Sequence, residues 1–265
     1  MKMNPETFYR DHWAEIDEKR LSVYDANFVW QPRMAPLLEP AGLEPGQRVL
    51  DYGCGPGALV MEIARRVGPG GRVHGVDLNA DMLTLARQRA EREGLGPVTE
   101  FEQVTVERLP FEDATFDRVV CKSVLEYVAD PAATVAEFQR VTKPTGRVHV
   151  VDSDWGMLAV EPLAPESLQA LFAAAAMAYR TPHIGRRLRR LFRDAGLQDV
   201  ALNVTVTPDT TGARAMVVRN MIGYAREAGA MDDAILDDLL AQVEDAIANG
   251  DYLMMLPQFI VTGTR

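Results

Sequence analysis

Over residues 48–152 short β-branched apolar runs alternate with stretches whose apolar residues recur at helical spacing. Strands are predicted at Arg48–Asp51, Val73–Val76 (ending at Asp77), Thr99–Val104, Arg118–Cys121 and Arg147–Asp152. Between them, Leu59, Val60, Ile63, Ala64 and Val67 share one helical face, as do Met82, Leu83 and Ala86 behind a capping Asn79. Asp130-Pro131 opens a further helix running to about Val141. Strand–helix alternation of this kind predicts an α/β fold: a doubly wound, mostly parallel, seven-stranded sheet with helices on both faces.

The pattern changes on either side of that core. Aromatic-rich helices are predicted at Pro5–Arg20 and Phe28–Leu38, so residues 1–44 read as an N-terminal helical lid. Helices are expected at Glu166–Tyr179, Ile184–Ala195, Ala213–Ala228 and Asp233–Ala248, with strands at Val200–Thr207 and Leu253–Thr262. Residues 45–265 then form one domain whose insertions, about 157–195 and 208–250, make a helical cap over the carboxyl ends of the strands.

Composition narrows the function classes. The net charge of -10 argues against nucleic-acid binding, which needs a basic face. Cys54 and Cys121 both fall in core elements, which suggests a reducing compartment and no disulfide framework. With few histidines nearby they make no zinc site, and no metal is expected. Met1–Trp13 lacks the apolar segment of a signal peptide, and no apolar run is long enough to span a membrane. A cytoplasmic monomer or homodimer acting on a small molecule is the expectation.

The chemistry concentrates in Val49–Ala58, a buried strand ending in Asp51 and followed at once by the turn Gly53-Cys54-Gly55-Pro56-Gly57. Glycines there let the chain turn tightly and a ligand approach the backbone closely. In open α/β sheets ligands bind beyond the strands' carboxyl ends, where Asp51 and Asp77 both lie. Asp77 suits the two hydroxyls of a ribose, and Asp51 an ammonium group. The turn formally fits the dinucleotide pattern, so a nicotinamide-dependent oxidoreductase is one alternative. Asp51 would, however, set a negative charge beside a pyrophosphate. Cys54 reads as a small residue in a tight turn.

Together with Gly75-Val76-Asp77-Leu78-Asn79, Leu109-Pro110-Phe111, Phe116-Asp117, Leu125-Glu126 and Asp130-Pro131, that turn resembles the class I S-adenosylmethionine-dependent methyltransferases, most closely the ubiquinone/menaquinone-biosynthesis-like group. The resemblance covers roughly residues 45–155. It implies that Asp51, Gly53, Cys54, Gly55 and Gly57 line the methionine part of S-adenosylmethionine, that Asp77 binds the ribose, and that Leu78 and Met82 flank the adenine. Where the family often has an aspartate for the adenine amino group this chain has Thr105, whose oxygen can accept the same bond. The main chain of Val106 would read the ring. Lys122 or Ser123 would sit beside the sulfonium or the acceptor, and the N-terminal helix would act as a lid. A relative of the same fold that binds the cofactor without methylating is a further alternative.

Methyl transfer is an in-line displacement that needs alignment, exclusion of water and, for a neutral hydroxyl or amine, a general base. Asp152 and Asp154, at the end of the fifth predicted strand, are the leading candidates for binding a cationic acceptor or taking a proton; loop-capping roles are the alternative. His12 is a second candidate base. Tyr127, where many resembled enzymes have histidine, offers a phenol. Tyr9, Trp13, Tyr24, Trp30 and Trp155 are placed to close over cofactor or acceptor. His183 and Arg187 are candidate substrate contacts, although the arginine run at 186–193 opposes an apolar helical face and suits solvent. Methionines and Tyr224 in the cap suggest a partly apolar acceptor.

Overall fold

The computed structural model describes residue 4, residues 6–105 and residues 108–265. Its central sheet has seven strands: β1 (Arg48–Tyr52), β2 (Arg72–Asp77), β3 (Thr99–Gln103), β4 (Phe116–Lys122), β5 (Thr142–Ser153), β7 (Gln198–Thr205) and β9 (Gln258–Thr264). They lie in the order β3-β2-β1-β4-β5-β9-β7. The first five in that order are parallel; β9 runs antiparallel to both β5 and β7. The doubly wound α/β fold expected from the alternation is therefore present, and its strand order reverses between β1 and β4.

Helices α4 (Ala58–Val67), α5 (Ala80–Arg92) and α6 (Pro131–Val141) follow strands as the spacing predicts. Asn79 caps α5 through the Met82 amide at 2.9 Å, and Asp130 caps α6 through the amides of Ala132 and Ala133. Such caps contribute about 1 kcal/mol each. One sheet face is filled by Val49, Val60, Ile63, Val73 and Leu83; the other packs Phe116, Val119, Phe138 and Val150.

The cap is a separate apolar body. It comprises α7 (Pro165–Ala174), α9 (Met216–Ala228), α10 (Asp233–Asn249) and a two-stranded sheet of β6 (Ala159–Glu161) with β8 (Leu253–Met255). Its core holds Leu171, Val218, Met221, Leu236, Val243 and Met254. The helix expected to end the first cap insertion, α8 (Ile184–Asp194), is not in it. Ile184, Leu188 and Phe192 bury on the sheet beside Phe259 and Val261 instead.

Three other expectations are corrected. The helix predicted over Pro5–Arg20 is two, α1 (Phe8–Ala14) and α2 (Glu18–Asn27), because the Asp17 carboxylate accepts the Arg20 amide and starts a new helix. The stretch Phe28–Leu38 yields only a short 3-10 turn and α3 (Ala35–Leu38), because Pro32 and Pro36 lack the amides a continuous helix would use. The last predicted strand divides into β8 and β9 at Leu256-Pro257, where proline cannot donate to a ladder.

Candidate functional site

A cavity of about 1690 Å³ opens beyond the carboxyl ends of β1, β2 and β4, roofed by α1, α2 and the cap. Its floor is built by the chain turning sharply after β1. Gly53 sits at φ +73° with Val124 so close that an added Cβ would lie 2.3 Å from a methyl carbon. Gly55, at φ +51°, has nothing within 4 Å of such a Cβ and faces the cavity. The turn thus leaves a strip of bare backbone against which a ligand can lie. Gly57 is buried against Ala86 of α5 and is not in the wall, so its part is helix packing.

Asp51 ends in this floor, 1% exposed, and its Oδ2 has no hydrogen-bond partner. Burial, reinforced by the nearby Asp77 charge, raises its pKa to about 7. A buried acceptor left unpartnered costs about 1–3 kcal/mol. Asp77 accepts the Gly55 amide through Oδ2 at 2.8 Å and the Asn79 amide through Oδ1 at 2.9 Å. Each oxygen keeps a lone pair for the cavity. Burial raises the Asp77 pKa while those amides work against the rise. Leu78, Met82, Cys54 and the exposed Thr105 share this end of the wall. Val106 lies outside the described residues.

Lys122 and Ser123 occupy the tip of β4. Lys122 Nζ donates to Ser123 Oγ at 3.2 Å, and burial lowers the ammonium pKa although Asp152, Glu126 and Asp51 oppose the shift. Ser123 adopts φ +57°, a left-handed conformation for a non-glycine residue, at the point where the chain leaves the sheet for Val124–Val128.

Beyond the β4 tip the wall becomes aromatic. Trp13 packs on Tyr24 at 5.4 Å and on Tyr127 at 5.2 Å between ring centroids. Tyr127 stacks on Tyr179 at 5.7 Å, and Tyr179 lies 4.7 Å from Trp155. Trp30 also reaches the wall, under the Arg66 guanidinium. Asn79 fixes the lid to the floor: its Nδ2 donates to the carbonyls of Trp13 and Ala14. Arg89 of α5 holds α2 through Phe28 O and Asp25.

Several expected chemical residues are not brought to the cavity. Asp152 is buried with its carboxylate taken by the amides of Val124, Leu125 and Ser153. Burial raises its pKa to about 6 against those bonds, and it is a pin between β5 and the loop after β4. Asp154 is locked by the Arg186 guanidinium, His183 and the Gly156 amide. Burial would raise its pKa, but those partners hold it below the ordinary value. His183 therefore faces Asp154, and Arg187 is exposed on α8. His12 lies behind the wall. Its Nδ1 meets the Phe8 carbonyl, and burial lowers its pKa to about 4. Tyr9 lies beneath Arg180, outside the cavity.

One carboxylate that is not among the candidates named from the sequence does reach the cavity. Glu126 is 2% exposed and lines the wall between Lys122 and Tyr127. It accepts from Trp155 Nε1, and its pKa is pushed well above the usual range by burial and by Asp152. Its placement inside the apolar stretch Val124-Leu125-Glu126-Tyr127-Val128 was the signal that the side chain would be buried. Among the described residues no three histidine, cysteine or acidic side chains form a metal-binding group, and no helix is long and apolar enough to cross a membrane.

Comparison with known proteins follows from this geometry. A profile described as a methyltransferase domain matches residues 43–196. An uncharacterised protein from a Streptomyces fradiae transposon is 33% identical over 229 residues, 85% of this chain and 64% of that one. A 2-phytyl-1,4-naphtoquinone methyltransferase of Trichormus variabilis is 39% identical over 111 residues, 42% of this chain and 48% of its own. The chain thus spans about half to two thirds of the length of these curated relatives. Haemonchus contortus phosphoethanolamine N-methyltransferase 2, solved with phosphomonomethylethanolamine and S-adenosylhomocysteine, aligns over 99% of this chain and 61% of that one with TM-score 0.65 and 17% identity. That likeness concerns the fold.

Proposed function

This chain belongs to the methyltransferase domain family, and on that footing we propose that it transfers a methyl group from S-adenosylmethionine to a small, partly apolar acceptor held under the cap. The observation that carries the reading is the unpartnered, buried Oδ2 of Asp51 beside a strip of bare glycine backbone. A pyrophosphate there would meet a carboxylate; an ammonium group would satisfy it.

Asp51 would hold the cofactor's ammonium group and Asp77 its ribose hydroxyls, with Leu78, Met82 and Thr105 around the adenine. When bound, the cofactor supplies an electrophilic methyl on a sulfonium. Trp13, Tyr127, Tyr179 and Trp155 would orient the acceptor and exclude water. Glu126 is the base in this scheme. It would take the proton that an acceptor hydroxyl or amine gives up on methylation. Burial and the neighbouring Asp152 raise its pKa, which makes its carboxylate a stronger base than that of an exposed glutamate.

The test is calorimetry with S-adenosylhomocysteine and with NADH, followed by a screen of phenols, quinols and amines with methyl-labelled cofactor. S-adenosylhomocysteine should bind and NADH should not. Asp77→Ala should weaken cofactor binding by about 2–3 kcal/mol, the scale of hydrogen bonds to a charged group. Binding of NADH alone, or an unaltered affinity in the folded variant, refutes the assignment. Cofactor binding with no methylated product from the screen refutes the transfer.

A further inference from the structure

At its far end the cavity wall carries positive charge. Arg33, in the turn before α3, and Arg214, in the loop before α9, come from distant parts of the sequence and line the same cavity. Arg214 Nη2 donates to the Thr207 carbonyl, which holds the guanidinium at the wall. Arg33 forms no ion pair or side-chain hydrogen bond among the described residues. Burial depresses the Arg214 pKa, and Arg33 depresses it further; Asp209 acts in the opposite sense. The Asp209 oxygens are already engaged by the amides of Thr211 and Arg214 and by the Thr211 hydroxyl. Two guanidiniums against one carboxylate leave a net positive charge here, on a chain whose overall charge is -10.

Like charges gathered on a partly desolvated wall repel one another, and an anion between them removes the repulsion. Guanidinium is also the side-chain group best shaped to take a carboxylate or phosphate through paired N–H donors. Hydroxyls of Thr207 and Thr210 border the same end of the cavity and supply further donors.

We propose that Arg33 and Arg214 form an anion subsite, so that the acceptor carries a carboxylate or phosphate group at the end remote from its methylated atom. The proposal rests on the methyltransfer reading for the word acceptor, but the subsite itself does not. The acceptor's apolar body would lie along the aromatic wall and its charged end would reach the arginines. This fixes one end of the molecule, which is what alignment at the other end requires.

Benzoate, phenyl phosphate and uncharged benzyl alcohol are titrated against the S-adenosylhomocysteine-loaded protein at fixed ionic strength, followed by tryptophan fluorescence and ligand-observed NMR. At least one anionic probe should bind on the order of tenfold more tightly than benzyl alcohol, the scale of a charged hydrogen bond. Whichever of the two binds more tightly identifies the anion as carboxylate or phosphate. Arg33→Gln and Arg214→Gln should each remove most of that preference while leaving S-adenosylhomocysteine affinity unchanged. Arg33 is exposed, so its variant keeps the test readable if Arg214→Gln misfolds. Equal binding of charged and uncharged probes, or a preference that persists in the folded variants, overturns the subsite. If S-adenosylhomocysteine itself does not bind, the cofactor reading fails separately, and the same titration on the unloaded protein still decides the subsite.

Discussion

The two ends of the cavity are made differently. The sheet end comes from one short segment and a neighbouring strand tip: Asp51, the glycine turn and Asp77, tied together by main-chain bonds such as Gly55 N to Asp77 Oδ2. The cap end is assembled from side chains of α1, the loop after β4, the 3-10 turns at Trp155 and Tyr179, and α9, which meet only in the folded chain. A backbone-built site tolerates few changes and recognises a constant ligand. A site built of converging side chains can be altered one residue at a time.

The contrast is sharpened most by Asp51→Asn. The folded-state pKa near 7 lies above the ordinary 3.8, so the neutral form is the one folding favours. This group's contribution to stability is full below about pH 4 and is lost as pH rises through 7. By linkage the loss amounts to at most roughly 4 kcal/mol. The ligand-free variant should therefore unfold at higher denaturant than wild type at pH 8, with the gap closing toward pH 4, while it binds S-adenosylhomocysteine more weakly. A gap independent of pH would show that Asp51 is not under this electrostatic load.

Next comes Glu126→Gln, which keeps an acceptor for Trp155 Nε1 but cannot take a proton. Turnover of an acceptor found in the screen should fall about 100-fold, with cofactor affinity unaltered. The acidic limb of the pH–rate profile should vanish with it, which a purely structural role would not cause. A variant with wild-type turnover would return Glu126 to the scaffold and leave the cap end with no base.

Gly53→Ala is the smallest of the three. Its Cβ would collide with Val124 at a positive φ, so stability should drop by about 2 kcal/mol in denaturant titration. An unchanged midpoint would mean that the turn and the loop after β4 can move apart, and that the floor is less fixed than its contacts imply.

The same contrast governs what could be read from the sequence. Strands β1, β2 and β4, the caps Asn79 and Asp130 and the glycine turn are written in adjacent residues, and periodicity with cap chemistry finds them. Asp152 and Asp154 misled because strand position says which end of the sheet a carboxylate occupies, but not whether main-chain amides or an arginine 32 residues onward consume it. Glu126 escaped because its meaning depends on Trp155 and on burial under a cap whose packing no local pattern specifies. The break in the N-terminal helix is legible in Asp17, a residue type that caps helices.

Asn79 ties three parts of the molecule together. One amide group closes the lid on the floor, while the same residue's oxygen starts α5 and its backbone nitrogen binds Asp77. Moving α1 away from the floor breaks bonds at the same residue that braces the Asp77 carboxylate. Displacement of α1 and the seating of the Asp77 carboxylate are thereby coupled through one side chain.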